Sequence, residues 1–279
     1  MRAATGAPAP MVRARGLVLG HGNHIAIAPS DVELPGRGLT AVVGPNGSGK
    51  STLLKAIASV LEPRAGRLEV LGGPVREARG RLSFVMQSVV YPVGTPMTVR
   101  DVVAMGRYPS VGWFRPFRRA DREAVAVALG QMQLLDLAGR HLDELSGGQR
   151  QRVYVAQGLA QEHEALILDE PLTGLDLVSA RTIDRIIHAE TRGGRPVVLT
   201  THDLDEARAA DHVVLMDGRV VASGPPDQVL TRANLEAVYG KGVLHRRGGP
   251  IIDDPVCRPV AGALGVRGQR PDEHSGHTP

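Results

Sequence analysis

Residues 44–52 read Gly-Pro-Asn-Gly-Ser-Gly-Lys-Ser-Thr, a glycine-rich segment that ends in a lysine and two hydroxyl residues. Its glycines allow successive backbone N–H groups to point into one concavity, where they can bind phosphate oxygens. Lys50 adds a mobile positive charge for the β- and γ-phosphates, and the Ser51 hydroxyl is suited to bind Mg²⁺. The predicted nucleotide-binding residues here are Gly44, Pro45, Asn46, Gly47, Ser48, Gly49, Lys50, Ser51 and Thr52.

The residues on either side of this loop support the same prediction. Residues 39–43 form a short apolar run that predicts a buried strand, and residues 52–61 carry apolar side chains at helical spacing. Pro63 is expected to end that helix. A glycine turn can precede a lysine by chance, but a strand before it and a helix after it favour a phosphate-binding loop.

Strand and helix patterns alternate along much of the chain. Residues 11–34 predict two strands joined by a turn, whereas residues 88–162 show helical patterns, at 99–105 and 121–135, and little strand signal. From residue 164 onward the alternation is typical of a mostly parallel sheet. The predicted elements there are strands at 165–168, 197–199 and 212–216, helices at 178–191 and 204–210, and a hairpin at Asp217-Gly218.

These patterns predict an α/β fold with an antiparallel β edge and an α-helical insertion at about 88–162. The folded domain is expected to span residues 1–240. Residues 241–279 are rich in Gly, Pro, Arg and His and lack periodicity, so we expect them to form a flexible tail.

Composition and charge exclude several classes of protein. Apolar residues make up 42% of the chain and no apolar run approaches the roughly 18 residues of a membrane span. The first ten residues do not resemble a secretory signal, and Cys257 is the single cysteine, so we expect a soluble intracellular chain. The net charge is +4, but the basic residues are spread along the chain among 29 acids, so we expect no nucleic-acid partner.

A second motif, Leu166-Ile167-Leu168-Asp169-Glu170, is an apolar strand that ends in two carboxylates. Many strands end in acids, so the motif alone has no functional meaning. Paired with the glycine loop, it predicts that Asp169 lies beside Mg²⁺ and that Glu170 activates the water that attacks the γ-phosphate.

A third motif is Ser146-Gly147-Gly148-Gln149, which follows Leu145 and begins a predicted helix. Free backbone N–H groups, a hydroxyl and a helix dipole make such a start a possible anion site, although simple helix capping explains the same residues. A second phosphate site in one chain is useful when two copies pack head to tail. The site of one copy then closes over the γ-phosphate held by the other.

Together these motifs resemble those of the ATP-binding cassette (ABC) ATPases, and the resemblance covers about residues 11–240. GPNGSGKST matches the Walker A motif of that family, LSGGQ its signature motif and LILDE its Walker B motif. Gln87, Asp176 and His202 stand where the family has its Q-loop, D-loop and switch histidine. The resemblance implies a P-loop NTPase fold, with a RecA-like, mostly parallel sheet, and implies ATP and Mg²⁺ as ligands.

The resemblance also implies roles for individual residues. Gln87 senses Mg²⁺ and links the core to the helical insertion, Asp176 lies at the seam of the dimer, and His202 contacts the γ-phosphate or holds Glu170 and the water. The implied catalytic residues are Glu170, His202, Gln87 and Lys50, and the implied Mg²⁺ residues are Ser51, Gln87 and Asp169. The residues offered to the nucleotide of a second copy are Ser146, Gly147, Gly148, Gln149 and Asp176.

One position departs from the family pattern. Where the family stacks adenine on an aromatic ring, often Tyr, alignment places His21. Imidazole offers less area than a phenol ring, so we expect looser or less base-selective binding. Apart from His202 and the predicted adenine contact His21, the histidines are interpreted as structural, and no transition-metal site is predicted.

Five of the eight aromatic residues fall within residues 91–117, interleaved with arginines. Aromatic and arginine side chains are enriched in interface cores, so this segment predicts a groove that receives a helix of a membrane partner; a small local core is the alternative. The residues are Tyr91, Tyr108, Trp113, Phe114 and Phe117, with Arg107, Arg115, Arg118, Arg119 and Arg122.

Residues 105–125 are similar to the ATPase subunits of bacterial importers for metal ions and metal chelates, and closer to the manganese/zinc type than to the siderophore and cobalamin type. The implied partners are an integral-membrane permease, a second ATPase subunit in a homodimer and, indirectly, an extracellular substrate-binding protein. The implied location is the cytoplasmic face of the membrane. Two alternatives are a soluble cassette that acts on ribosomes or DNA and a catalytically inactive regulatory cassette.

Overall fold

The computed structural model describes residues 9–87, 97–112 and 115–240. The strands in these residues are β1 (Val12–His21), β2 (His24–Leu34), β3 (Leu39–Val43), β4 (Ala65–Val70), β5 (Gly73–Pro74), β6 (Leu82–Val85), β7 (Ala165–Leu168), β8 (Val197–Thr201), β9 (His212–Met216) and β10 (Val220–Gly224). The α-helices in these residues are α1 (Lys50–Ile57), α2 (Val75–Ala78), α3 (Val99–Met105), α4 (Tyr108–Val111), α5 (Arg119–Gln131), α6 (Gly147–Ala160), α7 (Leu177–Arg192), α8 (Leu204–Arg208), α9 (Pro226–Val229) and α10 (Arg232–Tyr239). The predicted tail lies outside the described residues.

The larger sheet has the strand order β10-β9-β3-β8-β7-β6. All of its strands run parallel except β10, which pairs antiparallel with β9. Strand β3 is covered on both faces, since Ala41 and Val43 belong to one apolar core and Val42 belongs to the other. Burial on both faces explains why this strand is a nearly continuous apolar run. The predicted mostly parallel α/β sheet is confirmed.

The smaller sheet is antiparallel and has the order β2-β1-β4-β5. The hairpin of β1 and β2 confirms the prediction for residues 11–34. Strands β4, β5 and β6 are not among the predicted elements. In β4 only Leu68 and Val70 are buried, and β6 has four residues, so neither segment is long enough for a clear periodic pattern.

The helical insertion lies between β6 and β7 in the chain, where α3 and α5 pack on α6. The packing is close at Gly106, where a Cβ atom would lie 2.0 Å from the carbonyl oxygen of Gln157. Only glycine allows α6 to approach that position. Among the described residues, the α-helices α3, α4, α5 and α6 therefore lie in the part of the chain where the insertion is predicted.

Helices α1 and α5 each end four residues earlier than their sequences predict. Helix α1 ends at Ile57, and Ser59 has a φ of 59°, so Pro63 is not what ends it. Helix α5 ends at Gln131, before Gln133 with a φ of 55°. The helical ladder cannot continue through a left-handed residue. The prediction was wrong because apolar side chains beyond each end, such as Leu134, still pack into a core without being helical.

Candidate active site

The glycine loop joins β3 to α1 and wraps around the side chain of Lys50. Two of its glycines, Gly47 and Gly49, have φ values of 80° and 98°, a region that favours glycine. The Lys50 ammonium donates hydrogen bonds to the carbonyl oxygens of Gly44 and Pro45, at 2.8 and 3.0 Å. The loop therefore closes on itself and orders its own backbone around the amino end of α1.

Ser48 gives this loop an unsatisfied polar atom. Its hydroxyl is buried and makes no hydrogen bond with the described residues. A buried hydroxyl without a partner is costly, and a phosphate oxygen would satisfy it. The loop thus fits the phosphate ligand that the sequence predicts.

Asp169 follows β7 and is 4% exposed. Its Oδ1 atom accepts hydrogen bonds from the hydroxyls of Ser51, at 2.9 Å, and Thr200, at 2.7 Å. Two residues that are 118 positions apart, Ser51 and Asp169, are thereby brought together at the carboxyl edge of the sheet. Hydroxyl and carboxylate oxygens are the ligands that Mg²⁺ prefers, so this donor set fits the ion.

Glu170 lies next to this group in an unusual backbone conformation, with a φ of 45°. Its backbone N–H donates to the Thr200 hydroxyl at 2.7 Å, and its Oε2 atom accepts a 2.7 Å hydrogen bond from the Gln87 amide. The structure thus joins the predicted Q-loop glutamine to the predicted general base. Thr200 was missed by the sequence analysis, because a threonine inside an apolar strand carries no recognisable signal.

The two predicted histidines differ in position. His202 directly follows β8 and is exposed at the same sheet edge as Asp169 and Glu170. His21 ends β1, is also exposed, and pairs with His24 across the hairpin turn. No hydrogen bond or ion pair between His21 and the glycine loop is found among the described residues.

The signature residues form a helix start that is satisfied within the chain. Ser146 caps α6 by accepting a 3.3 Å hydrogen bond from the Gln149 N–H, and the Gln149 side chain accepts a 3.0 Å hydrogen bond from the Ser146 N–H. The capping alternative is therefore confirmed as geometry. The first backbone N–H groups of a helix have no partner within the helix, and the cap does not cover the end where they lie. Capping is therefore compatible with an anion site.

Gly148 brings the signature residues against Asp176. A Cβ atom at Gly148 would lie 2.3 Å from Asp176 Oδ2 and 2.7 Å from Ser179 Oγ. Asp176 caps α7 by accepting hydrogen bonds from the Ser179 N–H and hydroxyl, at 2.9 and 2.8 Å. The backbone N–H of Ser179 contributes most to lowering the pKa of Asp176. The two predicted dimer motifs are therefore packed against each other.

Comparison with known proteins identifies the family. The model of the ABC transporter family matches residues 28–173. The chain belongs to this family of ABC transporters and is one of its ATP-hydrolysing members. The ABC ATPase is 35% identical to the ferric enterobactin transport ATP-binding protein of Escherichia coli, over 88% of this chain and 91% of that protein. It is 33% identical to a manganese transport system ATP-binding protein of Listeria monocytogenes, over 81% and 95%.

A solved structure supports the same assignment. An inward-facing ABC transporter assigned to the metal-chelate type is 28% identical to this ABC ATPase, with a TM-score of 0.72 over 82% of this chain and 88% of that one. Within the described residues of the ABC ATPase, no helix combines the length and apolar character that a membrane span requires.

The aromatic and arginine segment of this ABC ATPase is partly structural. Arg107 is 4% exposed and forms ion pairs with Asp121 at 2.9 Å and Glu162 at 3.0 Å, while Nη1 donates to the Ala160 carbonyl. The prediction that Arg107 belongs to a docking surface was wrong, since it joins α5 to the end of α6. Tyr91, Trp113 and Phe114 lie outside the described residues.

The rest of the segment stays at the surface. The rings of Tyr108 and Phe117 contact each other, with centroids 5.7 Å apart and planes tilted by 58°. The four arginines that follow are exposed: Arg115, Arg118, Arg119 and Arg122. The predicted docking groove therefore remains a prediction for these residues.

Proposed function

We propose that this ABC ATPase powers an importer for a metal ion or metal chelate, and we favour manganese or zinc as the cargo. One observation carries the proposed mechanism of ATP hydrolysis: a set of side chains joined by hydrogen bonds at the carboxyl edge of the sheet. The residues are Ser51, Asp169, Thr200, Glu170 and Gln87. These residues come from four separate parts of the chain. Their convergence at the phosphate loop supports the proposal that a cation-binding group lies beside a water-activating group.

The chemistry follows from these positions. The loop N–H groups and Lys50 bind the phosphates of ATP, and Glu170 accepts the proton of the water that attacks the γ-phosphate. His202 lies at the same edge and acts on the γ-phosphate or on the water. Ser51 and Asp169, with Gln87, would hold Mg²⁺, which neutralises charge on the β- and γ-phosphates when it is bound.

The signature residues supply the other wall of the site in a second copy of the chain. Ser146, Gly147, Gly148 and Gln149 present the amino end of α6, and Asp176 is packed against them. The amino end of a helix offers N–H groups to an anion. The phosphate loop of the same chain is a separate segment, so the anion offered to α6 would be the γ-phosphate bound by a second copy. Two copies packed head to tail around two ATP molecules would therefore complete both sites.

The proposed cargo rests on relatives and on residues 105–125. One relative is named for manganese transport and another for ferric enterobactin transport. We favour manganese or zinc, and the ferric enterobactin relative makes a siderophore the second candidate. The ATPase is proposed to bind at the cytoplasmic face to a membrane permease that is supplied by an extracellular binding protein, with Tyr108, Phe117 and the exposed arginines at the contact.

Uptake measurements test the cargo. Cells that lack the ATPase should take up radioactive manganese or zinc poorly, and the wild-type gene should restore uptake. The Glu170→Gln gene serves as the matched control, because it supplies the same surface without the general base. Normal uptake of both metals with a loss of siderophore-bound iron would move the proposal to the second candidate. Normal uptake of all three would refute it.

Sedimentation tests the shared site. The Glu170→Gln protein should form a dimer when Mg²⁺ and ATP are added, because hydrolysis no longer separates the copies. The additional change Ser146→Arg should abolish that dimer while each copy still binds ATP. Ser110→Arg places the same charge at an exposed serine on α4 and serves as the control. Full-speed hydrolysis by a monomer with Ser146→Arg would contradict the shared site.

A further inference from the structure

Thr200, in β8, has a side chain that forms hydrogen bonds with both acids of the site, Asp169 and Glu170. The residue is fully buried, with 0% of its surface exposed. Its hydroxyl donates a hydrogen bond to Asp169 Oδ1 and accepts one from the backbone N–H of Glu170, both at 2.7 Å. A hydroxyl can donate and accept at once, so one side chain joins the two consecutive acids.

The first of these bonds determines which oxygen of Asp169 is free. Thr200 and Ser51 both donate to Oδ1, and no hydrogen bond to Oδ2 is found among the described residues. Two donors on one oxygen fix the carboxylate plane. The other oxygen then keeps its lone pairs for a cation.

The second bond holds the backbone of Glu170. A φ of 45° is unfavourable for a residue with a side chain and persists only where the surroundings hold it. Asp169, one residue earlier, donates its N–H to the Val85 carbonyl at 2.9 Å, but Glu170 lies beyond that sheet contact. The Thr200 hydroxyl replaces the missing sheet partner, and it thereby sets the direction in which the Glu170 side chain leaves the backbone.

We infer that Thr200 is a positioning residue that orients the cation-binding carboxylate and the water-activating carboxylate through one hydroxyl. The inference rests on the proposed function, in which Asp169 and Glu170 act in ATP hydrolysis. A β-branched side chain suits this position, because its χ1 angle is restricted in a strand and the hydroxyl direction is fixed in advance.

Thr200→Val tests the inference, because valine keeps the shape of threonine and removes the hydroxyl. We expect kcat to fall roughly 10²-fold, the effect of a small misplacement of reacting groups. The gain in ATP affinity on adding Mg²⁺, measured by calorimetry, should shrink, whereas ATP affinity in EDTA should stay within about twofold. Thr200→Ser retains the hydroxyl and should recover most of kcat and of the Mg²⁺ effect.

Thr182→Val is the matched control. It removes another buried threonine hydroxyl, which donates to the Val178 carbonyl in α7 at 2.8 Å, and it should leave kcat and the Mg²⁺ effect unchanged. A Thr200→Val protein with a lower melting temperature but a wild-type Mg²⁺ effect and kcat would show a merely structural role and overturn the inference.

Two further results keep the test decisive. If Thr200→Val does not fold, Thr200→Ser is compared with Thr200→Cys, whose thiol is a weaker donor; equal kcat and equal Mg²⁺ effects in these two variants would contradict the inference. The proposed function fails in a different way. Wild-type hydrolysis by Glu170→Gln would refute the role of the acids, whatever the outcome at Thr200.

Discussion

The larger sheet buries a carboxylate at its amino edge, where the parallel strands begin, and another at its carboxyl edge, where they end. The two carboxylates have different kinds of hydrogen-bond partner. At the amino edge, Glu190 is 5% exposed and binds two basic groups: His163, which precedes β7, at 3.0 Å, and Arg195, which precedes β8. At the carboxyl edge, Asp169 binds the neutral hydroxyls of Ser51 and Thr200. No ion pair of Asp169 is found within the described ranges.

The difference separates a structural acid, Glu190, from Asp169, the acid that we propose to be functional. A buried charge is costly unless a charge of opposite sign lies beside it. Glu190 has the Arg195 guanidinium and the His163 ring beside it within the fold, so its role is complete without a ligand. Within the part of the chain that the structure describes, Asp169 has hydrogen bonds but no ion pair, which is the condition expected of a carboxylate that binds Mg²⁺. Burial therefore does not distinguish the two edges, whereas the chemistry of the partners does.

The largest expected effect comes from Glu170→Gln at the carboxyl edge. A well-placed general base contributes roughly 10²–10⁴-fold, so steady-state hydrolysis should fall by that factor while ATP binding is retained. Glu164→Gln makes the same change at the amino edge, where Glu164 pairs with Arg81 at 2.6 Å, and it should leave turnover within about twofold. Equal losses of turnover in both variants would show that Glu170 has no special role in hydrolysis.

The second prediction concerns Glu190 and pH. Burial by itself raises the pKa of Glu190, but hydrogen bonds from His163 and Arg195 outweigh it and lower the pKa to about 2 from 4.5. Because the pKa of Glu190 is lower in the folded state, its charge stabilises the fold at pH values above the unfolded-state pKa of 4.5. This stabilisation is lost as the pH falls from 4.5 towards 2. Near neutral pH this contribution is about 3 kcal/mol.

Glu190→Gln should therefore lower the free energy of unfolding near neutral pH and spare the turnover of the folded enzyme. Urea unfolding at several pH values measures the effect. The stabilities of the variant and the wild type should converge as the pH falls through that window. A difference that stays constant with pH would show that the charge of Glu190 is not what stabilises the amino edge.

The third prediction reverses the second at the carboxyl edge. Asp169→Asn removes a charge that has no cation beside it, so the free energy of unfolding should change by less than about 1 kcal/mol or even rise. The gain in ATP affinity on adding Mg²⁺ should fall at least roughly tenfold. A large loss of stability would mean that Asp169 is a structural acid like Glu190.

The smallest expected effect is that of His21→Ala, which tests whether the nucleotide-binding site includes the hairpin of β1 and β2. His21→Ala should weaken ATP binding by roughly threefold to tenfold if the imidazole stacks on adenine. Fluorescence titration with ATP and GTP measures both affinity and base selectivity. His24→Ala, on the other strand of the same hairpin, is the control. Unchanged ATP affinity in His21→Ala would remove this residue from the site.

Much of the site could be predicted from sequence, because its chemistry lies in short continuous motifs. The glycine loop of residues 44–52 needs backbone freedom and a lysine close together, and the Asp169-Glu170 pair needs an apolar strand before it. Both requirements are visible in a few adjacent residues. Thr200 was not predictable in this way, since its role arises from a neighbour in the next strand. Arg107 was misassigned for the same reason, because its partners Asp121 and Glu162 are brought to it by packing.

The amino-acid order by itself determined the alternation of strands and helices, the phosphate loop and the succession of motifs, since each depends on local spacing and backbone preference. Tertiary structure alone decided which acids receive cations and which receive hydroxyls, where Ser59 and Gln133 end their helices, and that one threonine joins two acids. Those features depend on contacts between residues far apart in sequence. Parallel strand pairing creates such contacts, and no local pattern records them.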